Sequence, residues 1–422
     1  MILTRQLHNG ATVIIEDIPH VRSAAVGVYI KLGSRHETQE VNGISHFIEH
    51  MLFKGTATRS ASELAEVFEE MGGQVNAYTS KEYTCFHARV LDEHVDNAMD
   101  ILFDMMFNST MTDKDLSTEK EVIVEEINMY EDSPDELVHD IFAQTILAGH
   151  PLGRSILGPI ENIQNMTQGT IFDYYRGHYH PANMIIAVAG NVDPQKIIDR
   201  LESYTGYASQ FVQAADTSVI EEQQGITLVP KDTEQVQICL GVPGISYLDE
   251  RRYTQNIMNN ILGGGISSRL FQKIREEKGL AYSVYSYPST YRDVGTYAIY
   301  IGTGPAKVPE FFTLLRDELK RFLDDGVTAD EVLRSQNQLK ASLYLGMESI
   351  MTRMNRIGKS LLLYNEVIPV EEVIQRVYQV TPEMVHTFAR DTLGRKEYSL
   401  ATIGEQAVLP VVEKGFNLLG WE

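Results

Sequence analysis

The first part of the chain mixes apolar runs typical of strands with apolar residues at helical spacing. Val21–Leu32 is rich in apolar residues and predicts a strand, and 43–53 predicts a helix that stops near Gly55. The apolar residues on one face of that helix are Ile44, Phe47, Ile48 and Met51. A capping box at Ser60–Glu63 opens a second helix, and a hairpin is predicted within 74–91. This order predicts an α+β fold with helices covering one face of a largely antiparallel sheet.

The two halves of the chain share a pattern that suggests an internal duplication. Thr112 and Thr328 each open an acidic helix that follows another helix. In the register set by these threonines, the aligned pairs are Glu119 with Ser335 and Glu126 with Ser342. The second copy has therefore lost the acids. Two α+β domains that only share turn chemistry would give a similarity of the same strength, so the pattern leaves both explanations open.

The length of 422 residues predicts two domains of about 200 residues each. A polar stretch without a clear helix or strand pattern separates the halves. We therefore predict similar domains at 1–212 and 226–422, joined by a linker at 213–225. Of the 12 histidines only His386 lies beyond His180, so histidine-based metal chemistry belongs to the first domain.

Composition excludes several classes of partner and site. A formal charge of −22 argues against a nucleic-acid partner, and no apolar stretch is long enough to span a membrane. Cys85 and Cys239 lie far apart in apolar runs, which argues against disulfides and a cysteine-based zinc site. The amino-terminal residues run directly into a strand-like segment without a targeting pattern, so we expect a cytoplasmic protein.

The strongest chemical signal is His46-Phe47-Ile48-Glu49-His50, inside the first predicted helix. Residues four apart lie one turn above each other, so His46 and His50 can bind one ion from the same side. Glu49 shares that side and is close enough to act on a water molecule rather than to bind the metal. These are the parts that metal-assisted hydrolysis requires. The alternative is a solvated helix face with two ordinary histidines, and a third ligand weighs against it.

A catalytic zinc site takes three protein ligands and keeps one position open. The candidate helix, Asp113–Glu131, carries Glu119, Glu121, Glu125, Glu126 and Glu131. Glu119 and Glu126 are seven residues apart and project from the same side. Most acidic helix faces are only solvated, so the pattern by itself leaves the third ligand open.

Over nearly its whole length the chain resembles the inverted zincin peptidases related to pitrilysin and the insulin-degrading peptidases. The likeness is greatest to the half-length branch that contains mitochondrial processing peptidase. The matching segments are Gly33–Glu37, Gly43–Thr56, Gly73–Thr79, Asn183–Met184 and Ala189–Val192. The resemblance implies one Zn²⁺ per chain with His46, His50 and Glu126 as ligands. It also implies that Glu49 is the catalytic base and that Glu119 assists by holding a ligand or the catalytic water.

The resemblance further indicates how a peptide is held. In the family the pair corresponding to Asn76 and Ala77 lies along the bound peptide, which is added as a strand to a sheet edge. Arg275 and Tyr282 match an Arg and Tyr pair that meets the scissile region. Arg275 would bind the peptide, and Tyr282 would donate a hydrogen bond toward the developing oxyanion. From the residues alone, we would interpret Arg275 as a surface residue of a helix and Tyr282 as the start of a strand.

Full-length relatives enclose a chamber with four such domains, and this chain has two. The resemblance therefore implies a homodimer that closes as a clamshell around peptides or unfolded segments. One alternative is a noncatalytic core or assembly subunit of the same family, although such relatives typically lose the zinc motif. A second alternative is a metallohydrolase that acts on substrates other than peptides.

Overall fold

The computed structural model describes residues 2–204 and 224–420, which form two compact units. The first unit contains 2–128, 154–204 and 344–367, and the second contains 129–153, 224–343 and 368–420. Each unit thus includes one segment from the other half of the chain. The predicted domains at 1–212 and 226–422 are continuous and do not include this exchange. Of the predicted linker 213–225, residues 213–223 lie outside the described residues.

The strands are β1 (Ile2–Gln6), β2 (Thr12–Asp17), β3 (Ser23–Ile30), β4 (Gln74–Thr79), β5 (Thr84–Leu91), β6 (Met184–Gly190), β7 (Ile226–Pro230), β8 (Val236–Gly244), β9 (Ala281–Thr290), β10 (Gly295–Thr303) and β11 (Ser399–Gly404). The helices are α1 (Ile44–Met51), α2 (Ala61–Glu70), α3 (Val95–Asn108), α4 (Asp113–Glu131), α5 (Pro134–Ile146), α6 (Ile160–Asn165), α7 (Gln168–His178), α8 (Pro194–Ser203), α9 (Arg252–Leu262), α10 (Val308–Asp325), α11 (Ala329–Gly346), α12 (Ile350–Tyr364), α13 (Val370–Tyr378), α14 (Pro382–Thr392) and α15 (Leu409–Asn417). A π-helical segment spans Phe271–Glu276, and short 3₁₀ turns occur at Ser34–His36, Gln39–Val41, Asp92–His94, Pro151–Gly153, Pro181–Asn183 and Pro305–Lys307.

The two sheets have the same topology. In the first unit the strands lie in the order β1-β2-β6-β3-β5-β4, with β2 and β6 parallel and the other neighbours antiparallel. In the second unit the order is β7-β11-β8-β10-β9, with β7 and β11 parallel and the rest antiparallel. Apart from β1, the two orders correspond strand by strand. The predicted fold of two similar α+β domains is confirmed, and the shared topology favours duplication over shared turn chemistry.

Helices cover both faces of the first sheet rather than the single face that was predicted. Val26 and Val28 of β3 belong to a core that includes apolar residues of α1 and α3. On the opposite face, Tyr29 of β3 packs with residues of α12, and its hydroxyl donates to Asn355 Oδ1 at 2.6 Å. Gly358 permits this approach, because a Cβ there would lie 2.4 Å from the Tyr29 ring. A strand buried on both faces is apolar throughout, which explains why β3 lacks polar alternation.

The exchanged segments account for this second layer in each unit. α12 comes from the second half of the chain and packs against β6, β3 and β2 in the first unit. α5 comes from the first half and packs against β11 and β8 in the second unit. Phe142 of α5, for example, is buried with Cys239 of β8. Each sheet is therefore completed by a helix that lies far from it in sequence.

Candidate metal centre

The helix α1 carries both histidines of the His-x-x-Glu-His pattern. It begins after Gly43, whose φ of 101° is accessible to glycine at little cost, and its apolar side is fully buried. Because this side is fixed in the core, the adjacent side of α1 presents His46, Glu49 and His50 together. His46 is buried, and Glu49 and His50 are half-buried.

Glu126 on α4 joins the two histidines. Its carboxylate oxygens lie 3.7 Å from His46 Nε2 and 3.4 Å from His50 Nε2. One donor atom from each of the three residues lies within 4.8 Å of the other two. α4 reaches this place because Ile123 and Ile127 are anchored in the core on its inner side. Among the described residues, 2–204 and 224–420, the possible metal ligands found close together in a group of three or more are His46, His50 and Glu126.

The donor chemistry of this group fits zinc. Two imidazole nitrogens and one carboxylate are a known ligand set of catalytic zinc, and they leave a fourth position open. Burial and the neighbouring His50 lower the pKa of His46 to about 4, so this imidazole is neutral near pH 7. Burial alone would lower the pKa of His50, but hydrogen bonds to Glu119 and Glu126 raise it to about 9. Metal binding at His50 therefore competes with a proton.

Glu119 contacts a histidine rather than joining the ligand group. Its Oε1 lies 2.9 Å from His50 Nδ1, and its Oε2 lies 2.5 Å from Lys54 Nζ. Burial would raise the pKa of Glu119, but the hydrogen bonds with His50 and Lys54 lower it. A carboxylate on the far nitrogen of a ligating histidine fixes the orientation of the ring and makes it a stronger ligand.

Glu49 is tied to the edge of the sheet. The Thr79 hydroxyl, on the last residue of β4, donates to Glu49 Oε2. Burial raises the pKa of Glu49, and the hydrogen bond from Thr79 opposes that shift. Glu49 lies on the same side of α1 as the histidines but outside the group of possible ligands. It is therefore held beside the metal-binding residues without being one of them.

Asn76 and Ala77 lie on β4, the strand that ends the first sheet. Ala77 packs toward the core that contains α1, whereas the Asn76 side chain is exposed. Among the described strands, β4 pairs with β5 alone, so the backbone groups along its other edge face outward. The structure thus places this pair beside the residue that holds Glu49.

Arg275 and Tyr282 lie in the second unit and contact each other there. The Arg275 guanidinium is 4.6 Å from the centre of the Tyr282 ring and 4.7 Å from that of Phe271. Tyr282 is 76% exposed, and both residues line a cavity of about 450 Å³ beside Gly263–Gly265. The two side chains therefore contact each other, and they belong to a different unit from the metal-binding group.

Sequence reasoning gave no role to Glu37, Lys54 or Thr79. Lys54 is four residues past His50, a spacing that places it near the same helix face, but an exposed lysine gives the same pattern. Glu37 and Thr79 are the last residues of two segments that carry the family resemblance. This position was the sequence feature that could have indicated a role for them. Their partners became visible only in three dimensions.

Two units of one α+β topology, with a His-x-x-Glu-His helix facing a glutamate helix in the first, are the architecture of the inverted zincins. The family model named Insulinase (Peptidase family M16) matches residues 12–160, and the model named Peptidase M16 inactive domain matches residues 165–339. The chain belongs to this insulinase family of peptidases, and its length places it in the half-length branch.

Relatives of similar length support this assignment. A Bacillus subtilis protein named uncharacterized zinc protease YmxG is 44% identical over 410 residues, which are 97% of this chain and 100% of the relative. A Streptomyces coelicolor protein, also named an uncharacterized zinc protease, is 41% identical over 406 residues, covering 94% of this chain and 88% of the relative.

Solved structures with lower identity share the fold. A protease from Helicobacter pylori has a TM-score of 0.87 at 22% identity, covering 96% of this chain and 99% of that one. A Pseudomonas fluorescens structure described as a peptidase M16 inactive domain has a TM-score of 0.87 at 19% identity, covering 96% and 98%. In the described part of this chain, no helix has the length and apolar character needed to cross a membrane.

Proposed function

We propose that the chain is a zinc metallopeptidase that hydrolyses peptides or unfolded polypeptide segments. The observation that carries this proposal is the convergence of His46, His50 and Glu126, with Glu49 beside the group but outside it. Three protein ligands with a nearby carboxylate are what metal-assisted peptide hydrolysis needs. The relatives named zinc proteases add support at 44% and 41% identity.

In this proposal zinc would be held by the two imidazoles and Glu126, and when bound it polarises the scissile carbonyl and acidifies water. Glu49 accepts the proton of the attacking water and returns it to the amine that leaves. The hydrogen bond from Thr79 keeps the Glu49 carboxylate in one orientation for both transfers. Glu119 keeps His50 in place through Nδ1, so that Nε2 remains directed to the ligand group.

We propose that the substrate is held as a strand added to β4. The outward edge of β4 offers backbone donors and acceptors in the geometry that an extended peptide requires. Asn76 and Ala77 would lie along this peptide, and Thr79 at the end of the same strand contacts the proposed base. Closure of a chamber around this added strand would restrict substrates to peptides and unfolded regions.

We further propose that two identical chains close around the substrate as a clamshell. Arg275 and Tyr282 of one subunit would then face the metal centre of the other, with Arg275 binding the peptide and Tyr282 stabilising the oxyanion. The 76% exposure of Tyr282 and its contact with Arg275 support a role outside their own unit. The relatives have a similar length, which supports a second subunit as the source of the other half of the chamber.

The noncatalytic alternative would use the same fold without the chemistry. The model named for an inactive domain matches residues 165–339, whereas His46, His50 and Glu126 lie within the match at 12–160. The metal-binding group thus lies in the part matched by the peptidase model, and this favours the enzyme. A cytoplasmic location remains a prediction, which cell fractionation with an antibody to the protein would test.

Zinc quantification combined with a quenched-peptide assay tests the proposed function. We expect about one zinc per chain, loss of cleavage after chelation and recovery after zinc is restored. Zinc without cleavage of any peptide in a diverse library would favour a hydrolase for other substrates. Absence of zinc after reconstitution would favour the noncatalytic subunit.

A further inference from the structure

The first turn of α1 lacks the usual stabilisation of a helix start. α1 spans only eight residues, and it begins after Gly43, which has no side chain to cap the free N–H groups. His46 lies within this first turn, whereas His50 lies in the last. A short helix frays most easily at an uncapped end. His46 is therefore the ligand whose position depends on how that end is held.

A carboxylate from outside the helix supplies the missing cap. Glu37 Oε2 accepts from Gly43 N at 2.8 Å and from Asn42 Nδ2 at 2.9 Å, and Oε1 accepts from Ser45 N at 2.9 Å. Glu37 is only 3% exposed, so water does not replace these donors. Burial raises the pKa of Glu37, whereas these hydrogen bonds lower it, and the positive end of the helix dipole also favours the charged form.

The two histidines differ in what else holds them. His50 Nδ1 is fixed by Glu119 at 2.9 Å. His46 Nδ1 is buried and has no hydrogen-bond partner among the described residues. Because its Nδ1 has no such contact, the ring of His46 depends more on the backbone of the first turn for its position than the ring of His50 does.

We propose that Glu37 is a positioning residue for the metal centre, because it fixes the first turn of α1 and thereby places His46. This inference depends on the proposed metal centre but not on peptide cleavage. It requires that loss of Glu37 loosen α1 in the metal-free protein and weaken metal binding through His46. A glutamine would retain the size of the side chain but turn an NH₂ group toward N–H donors.

The test compares Glu37→Gln with the matched control Asp104→Asn. Asp104 is also a buried carboxylate of the first unit with several donors, including Thr56 Oγ1 at 2.7 Å and Arg59 Nη1 at 2.6 Å, but none of them is on α1. Amide hydrogen exchange of the metal-free proteins would be measured over 43–53. Zinc affinity would be measured by chelator competition, and the visible spectrum of the cobalt-loaded proteins would report ligand geometry.

For Glu37→Gln we expect exchange in α1 to rise about tenfold or more, zinc affinity to fall about 10- to 100-fold and the cobalt spectrum to shift. Asp104→Asn should leave all three within about twofold of the parent, even if it lowers thermal stability equally. Unchanged exchange in α1 would overturn the capping role. Faster exchange with unchanged zinc affinity would overturn the link to His46.

If Glu37→Gln does not fold, Asn42→Ala carries the test. It removes one of the three donors to Glu37 and leaves the carboxylate in place, so changes in the same direction of about two- to fivefold are expected. Identical exchange and zinc affinity in this variant and the parent would overturn the proposal. A parent protein that binds no zinc would instead refute the proposed metal centre, and the exchange measurement would still decide the capping role.

Discussion

In both units a polar side-chain contact joins two corresponding helices, but the side chains that make the contact differ. In the first unit His50 meets Glu119 at 2.9 Å, which ties α1 to α4. In the second unit α9 and α11 occupy the corresponding places, and Ser335 donates to Asn260 Oδ1 at 2.9 Å. Ser335 is the residue that aligns with Glu119 when Thr112 and Thr328 are in register.

A second pair of contacts corresponds in the same way. Thr79 on the edge strand β4 donates to Glu49, and Ser286 on the edge strand β9 donates to Asn259 Oδ1 at 2.8 Å. Both units thus have a polar contact at each place, and only those of the first unit involve ionisable groups. Neutral amides and hydroxyls make the corresponding contacts in the second unit, which suggests that the acids and imidazoles of the first unit are there for chemistry.

The largest expected effect separates the proposed base from the ligands. Glu49→Gln removes the proton acceptor and leaves all three donors, so it should keep about one zinc per chain and lower peptide cleavage by about a thousandfold. Metal analysis and a quenched-peptide assay would measure the two quantities. Glu121→Gln, an exposed glutamate on α4, is the control and should behave like the parent. Cleavage within about tenfold of the parent would exclude Glu49 as the base.

The next test distinguishes a ligand from the residue that supports one. Glu126→Gln removes one of three donors, so zinc affinity and cleavage should both fall, by more than about a hundredfold. Glu119→Gln leaves the donors in place and should weaken zinc binding by about tenfold, with a larger loss of activity. If Glu126→Gln bound zinc normally and Glu119→Gln did not, the two assignments would have to be exchanged.

A mixing experiment tests whether the two units work together across subunits. One mutant carries His46→Ala, and the other carries Arg275→Ala with Tyr282→Phe. Random exchange gives half mixed dimers, and with trans sites half of their sites are intact. About a quarter of parental activity should therefore return, by the reciprocity of a two-fold dimer. No recovery after verified subunit exchange, with both mutants folded and dimeric, would reject the trans arrangement and leave the zinc assignment unaffected.

The smallest expected effect lies in the second unit. Ser335→Ala removes a hydrogen bond from a buried side chain, and it should lower the free energy of unfolding by about 1 kcal/mol. Peptide cleavage should stay within about twofold, because this pair only joins two helices. Denaturant unfolding and the peptide assay would measure both. A large loss of activity with little loss of stability would mean that the second unit has chemistry of its own.

Local patterns predicted much of the fold. The helix expected over 43–53 is α1, the capping box opens α2, and the hairpin within 74–91 is formed by β4 and β5. The convergence of His46, His50 and Glu126 was expected from helix spacing together with the family resemblance. These features depend on residues a few positions apart or on one pair of helices, which periodicity can reveal.

Other features depend on contacts between distant residues. Neither α5 nor α12 has a local signal that assigns it to the sheet of the other half. The capping of α1 by Glu37 was missed because its donors follow a turn whose path cannot be read from spacing. The roles of Asn76, Ala77, Arg275 and Tyr282 remain predictions, since they depend on a substrate and a second subunit.

Because α12 comes from the second half of the chain, the first unit can be completed only after most of the chain has been synthesised. The face of the first sheet that contains Ile14, Tyr29 and Ile185 is buried by α12, whose last residue is Tyr364. While the ribosome is still adding residues before that point, this apolar face has no covering layer and the first unit is incomplete. The histidines and glutamates of the metal centre are therefore synthesised well before the first unit is complete, and an apolar face left open during that interval favours aggregation.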